Sequence, residues 1–139
     1  MASYKLINLD SLGDERGSLI AIEKGNNSPF EIKRVYYIFN TQDGVVRGLH
    51  AHINLKQIAI AVSGSCTFII DDGEKREDIK LRSPNQGLYI DGLIWREMKH
   101  FSNDCVLVVL ASENYDENDY IRNYDDFLKK VKDGFTGNK

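Results

Sequence analysis

The sequence predicts an all-β sandwich or barrel with a single C-terminal helix. Short apolar runs recur along most of the chain, and turn residues punctuate them at close intervals. After Ala111 the apolar residues recur instead at three- and four-residue steps. With 139 residues the chain is one domain spanning 1–139, too short for a dinucleotide-binding domain plus a separate substrate domain. Its 42% hydrophobic and 28% charged residues, with only 2 prolines, are the composition of a folded protein with a core.

Strands are expected at Tyr4–Leu9, Leu19–Glu23, Ile32–Asn40, Gly48–His52, Gln57–Ser63, Ser65–Asp71, Asp78–Leu81, Gly87–Ile90, Ile94–His100 and Cys105–Ala111. The breaks between them carry residues that tolerate positive φ or fold back on their own backbone: Asn26-Asn27-Ser28-Pro29, Gln42-Asp43-Gly44, Ser63-Gly64-Ser65, Asp71-Asp72-Gly73, Asp91-Gly92 and Ser102-Asn103-Asp104. Hairpins are expected at Gly64 and Gly73. The helix is expected over about 116–133, from the spacing of Tyr120, Ile121, Tyr124, Phe127 or Leu128, and Val131. Asp116, Glu117 and Asp119 at its start and Lys129, Lys130 and Lys132 at its end match the helix dipole. Residues 134–139 carry few apolar groups and are expected to fray.

Charge narrows the function. Against 21 Asp+Glu stand 18 Lys+Arg, a formal net charge of -3, so the basic excess that a nucleic-acid backbone requires is missing. No apolar run approaches the roughly 20 residues of a membrane span, and the first residues lead into a strand pattern without a signal-peptide core, so a cytoplasmic protein is expected. Cys66 and Cys105 sit in apolar runs and form no C-x-x-C pair, which is the pattern of buried free thiols.

The informative spacing is His50-Ala51-His52, because residues i and i+2 of a strand share a face. Two readings are open from that alone, a hydrogen-bonded histidine pair or part of a metal site. Gly44, His50, His52, Gln57 and Gly64, separated by five, one, four and six residues, resemble the first cupin signature, with Gln57 where a glutamate is usual. Ile90-Asp91-Gly92-Leu93-Ile94-Trp95 resembles the second, with Trp95 in place of its histidine. An amide is a poor substitute for a carboxylate ligand and an indole offers no lone pair, so the resemblance implies a cupin jelly-roll barrel holding no metal and needing no cofactor, its histidine pair released for proton transfer. Lys33, Arg34, Arg47 and Arg96, with the aromatic Trp95, are residues that suit phosphates and a stacked base or sugar, which points to a nucleotide-linked sugar.

Longer segments carry a closer resemblance, from Arg16-Gly17-Ser18-Leu19 to the helix: Pro29-Phe30-Glu31-Ile32-Lys33-Arg34-Val35-Tyr36-Tyr37-Ile38, Arg47-Gly48-Leu49-His50-Ala51-His52, Gly87-Leu88-Tyr89-Ile90, Trp95-Arg96-Glu97-Met98, Leu110-Ala111-Ser112-Glu113-Asn114-Tyr115-Asp116-Glu117 and Asp119-Tyr120-Ile121-Arg122-Asn123-Tyr124-Asp125. Together they resemble the dTDP-4-keto-6-deoxyglucose 3,4-ketoisomerases, cupin enzymes on routes to 3-amino-3,6-dideoxyhexoses of surface polysaccharides. The resemblance implies an isomerase acting on a dTDP-linked 4-keto-6-deoxyhexose. It makes His50 the principal acid/base, His52 its partner or shuttle, and Tyr37 a candidate donor to the enediolate oxygen. Arg16, Lys33, Arg34, Arg47, Gln57, Trp95 and Arg96 become the candidate substrate-binding residues. Arg16 resembles the galacto-forming branch and Arg96 the gluco-forming branch, so the configuration at carbon 4 stays open. A homodimer with exchanged N-terminal strands is implied as well, the strand being Tyr4–Leu9. A 3,5-epimerase-like cupin and a non-enzymatic sugar-nucleotide-binding cupin are the alternatives.

Overall fold

In a computed structural model that describes residues 2–137, two five-stranded antiparallel sheets face each other. Sheet one runs in the order β1 (Ser3–Asn8), β9 (Gln86–Asp91), β6 (Lys56–Ser63), β11 (Val106–Ala111) and β4 (Arg34–Phe39). Sheet two runs β12 (Tyr120–Ile121), β5 (Arg47–His52), β10 (Trp95–Lys99), β7 (Cys66–Asp71) and β8 (Arg76–Leu81). A separate hairpin joins β2 (Leu12–Asp14) to β3 (Gly17–Leu19), and the chain ends in α1 (Tyr124–Gly137). From β4 to β11 the chain crosses between sheets at every step except the β7–β8 hairpin. This is jelly-roll order.

Strand alternation explains the layers. Ala59, Ala61, Leu88, Ile90, Leu107 and Val109 of sheet one meet Cys66, Phe68, Ile70 and Met98 of sheet two in the central core. The outward residues of sheet one, Ile58, Ile60, Tyr89 and Leu110, are covered by Leu9, Phe30, Ile20 and Ile22. Those of sheet two, Ala51 and Trp95, are covered by Phe127 of α1. Toward one end the same inward positions turn polar: Ala59 is preceded by Gln57, Ile38 by Tyr36 and Arg34, and Met98 by Arg96, while β5 ends in His52. The polar end of the barrel is where the site lies.

Several expectations are corrected. Ser63-Gly64-Ser65 is no hairpin, because β6 and β7 belong to different sheets. Gly64, at φ 65°, turns the chain from one sheet to the other so tightly that a Cβ there would lie 2.3 Å from Ser102 Oγ. The Gly73 hairpin forms, pairing Asp71 with Arg76. Leu19–Glu23 is not a strand: only Leu19 belongs to one, and Ile20 and Ile22 pack on sheet one without joining its ladder. The helix starts at Tyr124, later than the expected 116, since residues 116–121 make a 3₁₀ turn (Glu117–Asp119) and then β12 on β5. Ladder bonds to His52 and Ala51 outweigh the helical spacing of Tyr120 and Ile121. At the other end, residues expected to fray from 134 onward are helical through Gly137, while 138 and 139 lie outside the described residues. Cys66 and Cys105 are buried and free.

Candidate active site

Two left-handed residues aim the histidines. Gly48 and Leu49 take φ values of 83° and 58°, and the β5–β10 register slips between Arg96 and Glu97, so Leu49 is the extra residue of a bulge. Only glycine suits position 48, where a Cβ would come within 3.0 Å of the Arg96 carbonyl oxygen. Beyond the bulge His50 and His52 face inward, ring centroids 4.9 Å apart and nearly perpendicular. The His50 Nδ1–H donates to the Gly48 carbonyl at 3.0 Å, which leaves Nε2 as the ring's basic atom. His52 is 1% exposed, its Nδ1 lies 3.1 Å from Asp119 Oδ2, and its Nε2 meets no hydrogen-bond partner among the described residues.

Opposite His50 in the ladder stands Arg96, 2% exposed. Its guanidinium donates to Gln57 Oε1 and, at 2.9 Å, to the Ile94 carbonyl, while its Nε has no hydrogen-bond partner among the described residues. Gln57 passes the polarity on, its amide nitrogen donating to the Tyr36 hydroxyl at 3.1 Å. With that oxygen already accepting, the Tyr36 proton is free to be given elsewhere. Burial, and then the positive Arg96, push His50 down to about 4, and the same two causes hold His52 far below its ordinary value. Both rings are therefore neutral at pH 7. Burial raises Tyr36 and brings Arg96 down to about 10, so the phenol and the guanidinium both keep their protons.

Two clefts open on this cluster. One, about 310 Å³, is lined by Tyr36, Arg47, His50, Tyr120 and Arg122 among others; the second, about 380 Å³, by His52, Asn54, Asp119 and Tyr120, with Arg34 in both walls. Arg34 lies over the rings of Tyr36 and Tyr115, its buried Nε without a hydrogen-bond partner among the described residues. Arg122 stacks 4.2 Å from the Tyr120 ring centre and is held by Glu117 at 2.8 Å. The Nε of Arg34 and of Arg96 and Nε2 of His52 are thus buried polar atoms without a hydrogen-bond partner among the described residues, and their chemistry suits a hydroxylated anionic ligand.

The sequence-derived residues divide accordingly. His50, His52, Gln57, Arg96, Arg34 and Arg47 come together. Tyr37 does not: it is 61% exposed on the outer face of β4, beside Phe39, and the inward tyrosine is Tyr36. Period two decides this, because Arg34 faces in and so must Tyr36. Trp95 is also turned away, since its neighbour Arg96 faces in; its Nε1–H donates to Glu97 and its ring packs on Tyr124 and Phe127 of α1. Arg16, 85% exposed on its side chain, is paired with Asp14 at the β2–β3 tip and lines neither cleft. Lys33 is exposed and paired with Glu113, a residue of the larger cleft. Tyr36 was legible from strand period; Asp119, Tyr120 and Arg122 lie in a segment that carries the resemblance, but their spacing and charge read as a helix start and gave no sign of a place in the site.

Cupin barrels commonly hold a metal on such histidines, and the donor set here does not fit one. Two imidazoles are joined by an amide, and the inward position opposite His50 carries a buried guanidinium whose charge opposes a cation.

Comparison with known proteins settles the kinship. The sequence model of the family described as FdtA (WxcM-like, C-terminal) matches residues 2–132. The chain belongs to this family. A curated relative, the TDP-4-oxo-6-deoxy-alpha-D-glucose-3,4-oxoisomerase of Aneurinibacillus thermoaerophilus, is 53% identical over 91% of each chain. The crystal structure of the WlaRB TDP-quinovose 3,4-ketoisomerase of Campylobacter jejuni is 55% identical, covers 91% of this chain and 97% of its own, and superposes with a TM-score of 0.87. QdtA, a sugar 3,4-ketoisomerase of Thermoanaerobacterium thermosaccharolyticum solved with TDP, is 44% identical over 95% and 96% of the two chains, with a TM-score of 0.92. A 3'-monoepimerase of Streptomyces bikiniensis, 17% identical over 84% of this chain and 67% of its own with a TM-score of 0.73, shares the fold alone.

Proposed function

We propose that this FdtA-family protein is a sugar-nucleotide 3,4-ketoisomerase that moves the ketone of dTDP-4-keto-6-deoxy-D-glucose from carbon 4 to carbon 3. The observation that carries the reading is a neutral His50 with a basic Nε2, set among Tyr36, Arg96 and the guanidinium groups of Arg34, Arg47 and Arg122. The ketone acidifies the hydrogen on carbon 3. His50 takes that proton and returns it at carbon 4, while the proton on the carbon-3 oxygen passes to the carbon-4 oxygen with His52 as shuttle. Every atom is conserved and no electron acceptor is needed. A neutral imidazole suits this exchange because its free lone pair can take the proton, and a ring held at about 4 gives it back readily. The enediolate between the two steps lies beside the Arg96 charge and the free Tyr36 proton, both preorganised in a desolvated site.

The guanidinium groups at the cleft mouth bind the diphosphate, and Tyr115 and Tyr120 offer aromatic faces to the base or sugar. Arg96 is in the site, so the gluco configuration at carbon 4 is the one proposed, in keeping with the TDP-quinovose enzyme at 55% identity. The 3-keto product is the carbonyl that a transaminase needs to make a 3-amino sugar, for a cell-surface glycan. A homodimer is proposed too. Leu12, Leu19, Val35, Tyr37, Phe39 and Val62 are exposed apolar side chains of sheet one and of the β2–β3 hairpin, the kind of patch a second copy covers. Within one chain β1 pairs with β9 from Ser3 to Asn8, the edge at which strands would be exchanged. No described helix is long and apolar enough to cross a membrane, and a cytoplasmic site of action fits a nucleotide-activated substrate. Proton NMR of the 4-keto sugar nucleotide incubated with the protein in heavy water tests the reading: a 3-keto product is expected, and exchange at carbon 5 without it would indicate an epimerase instead.

A further inference from the structure

The 3₁₀ turn between β11 and α1 brings a carboxylate to the second histidine, and its oxygens are fully committed. Asp119 Oδ1 accepts the backbone N–H of Asn54 at 2.8 Å, and Oδ2 faces His52 Nδ1 at 3.1 Å. The turn itself is anchored: the Ile53 N–H donates to the Asp119 carbonyl at 3.0 Å, the Asp119 N–H donates to Asp116, and Tyr120 pairs with His52 in the β12–β5 ladder. Asp119 therefore has little freedom to move away. An ionised carboxylate has no hydrogen to give, so a neutral His52 must carry its proton on Nδ1. Nε2 is then a bare lone pair, buried, without a partner among the described residues, in the wall of the larger cleft that Asp119 also lines. Such an atom calls for an O–H donor from a ligand.

We propose that Asp119 is a positioning residue that fixes His52 as its Nδ1–H tautomer and so makes Nε2 the proton acceptor for a substrate hydroxyl. The inference rests on the ketoisomerase reading for the identity of that hydroxyl, though the tautomer itself does not. Asp119→Asn is the informative change. An asparagine has one carbonyl oxygen, and the Asn54 N–H claims it, which turns the amide N–H₂ toward His52 Nδ1. That nitrogen must then accept, and the ring proton moves to Nε2, abolishing the basic atom in the cleft. Asp119→Glu retains two acceptor oxygens and keeps the original tautomer.

Nitrogen-15 NMR of the histidine side chains in the full chain, free of substrate at pH 7.5, reads this directly. The wild type and Asp119→Glu are expected to show the His52 proton on Nδ1, and Asp119→Asn to show it on Nε2. Turnover of the 4-keto sugar nucleotide should fall on the order of 10²–10⁴-fold in kcat for Asp119→Asn, with KM within about threefold of wild type. A proton on Nε2 of wild-type His52 overturns the proposal without reference to any variant. An unchanged tautomer in Asp119→Asn, whatever its activity, overturns it as well. Wild-type protein that shows the expected tautomer but no isomerisation contradicts the function and leaves the role of Asp119 in the ring geometry standing.

Discussion

Adjacent tyrosines on β4 offer the sharpest contrast in the molecule. Tyr36→Phe removes one oxygen, from a ring packed between the Arg34 guanidinium and Gln57. The lost hydrogen bond leaves one N–H of the buried Gln57 unsatisfied, for a stability cost of about 1–2 kcal/mol. Gln57 Oε1 stays on Arg96, so the guanidinium keeps its place. The hydroxyl proton that faces the developing enediolate disappears, and removal of one such preorganised donor lowers kcat by about 10²–10³-fold, or roughly 3–4 kcal/mol. Tyr37→Phe removes an equal oxygen from a ring that is 61% exposed on the opposite face, and both stability and kcat should stay within about twofold. The assay is kcat at saturating 4-keto sugar nucleotide for both variants, with dTDP affinity measured separately to show that the site is intact. A Tyr36→Phe enzyme within threefold of wild type, or a Tyr37→Phe enzyme equally impaired, would refute the placement of the donor on Tyr36.

Three further outcomes are expected of the same molecule. His50, held at about 4 against 6.5 unfolded, binds fewer protons folded than unfolded between those values, and His52 shifts the same way. Stability is thus full above pH 6.5 and falls as the pH drops, with His50 alone accounting for on the order of 3 kcal/mol by pH 4; a urea-unfolding free energy that is flat from pH 7 to 5 would contradict two desolvated neutral rings. Gly64→Ala places a Cβ 2.5 Å from Asp104 Oδ1 and 2.8 Å from the Cys105 Cα at a positive φ, so a loss of about 2–4 kcal/mol is expected by thermal or chemical unfolding, and a neutral effect would show that the turn yields. Trp95→Phe gives up the bond to Glu97 and part of the helix seat, so the variant should melt several degrees lower with dTDP affinity unchanged; weakened dTDP binding at unchanged stability would put Trp95 back in the site.

The sequence made the barrel legible because strand period and turn chemistry act locally. It also placed His50 and His52 on one face, since that depends only on period two. The same period, carried from Arg34, selects Tyr36 over Tyr37, and carried from Arg96 it turns Trp95 outward. The Gly64 turn reads as a hairpin because a glycine between two strands looks the same whether the chain folds back on one sheet or crosses to the other; only the pairing of β6 with β9 and β11 distinguishes them. Residues 116–121 have helical spacing and acidic residues suited to a helix start, yet the ladder with β5 and the Asp119 contacts are long-range and hold them as turn and strand. For the same reason Asp119 could not be read as part of the site: its partners lie 65 and 67 residues away.

His50→Asn tests the central claim most directly. The variant keeps a polar side chain of similar reach and loses the titratable lone pair that moves the carbon-bound proton. Conversion of dTDP-4-keto-6-deoxyglucose, followed by proton NMR alongside dTDP binding, should show nucleotide affinity within a few-fold of wild type and formation of the 3-keto sugar slowed on the order of 10²–10⁴-fold. Formation of the 3-keto product at the wild-type rate by His50→Asn would contradict a mechanism built on that imidazole.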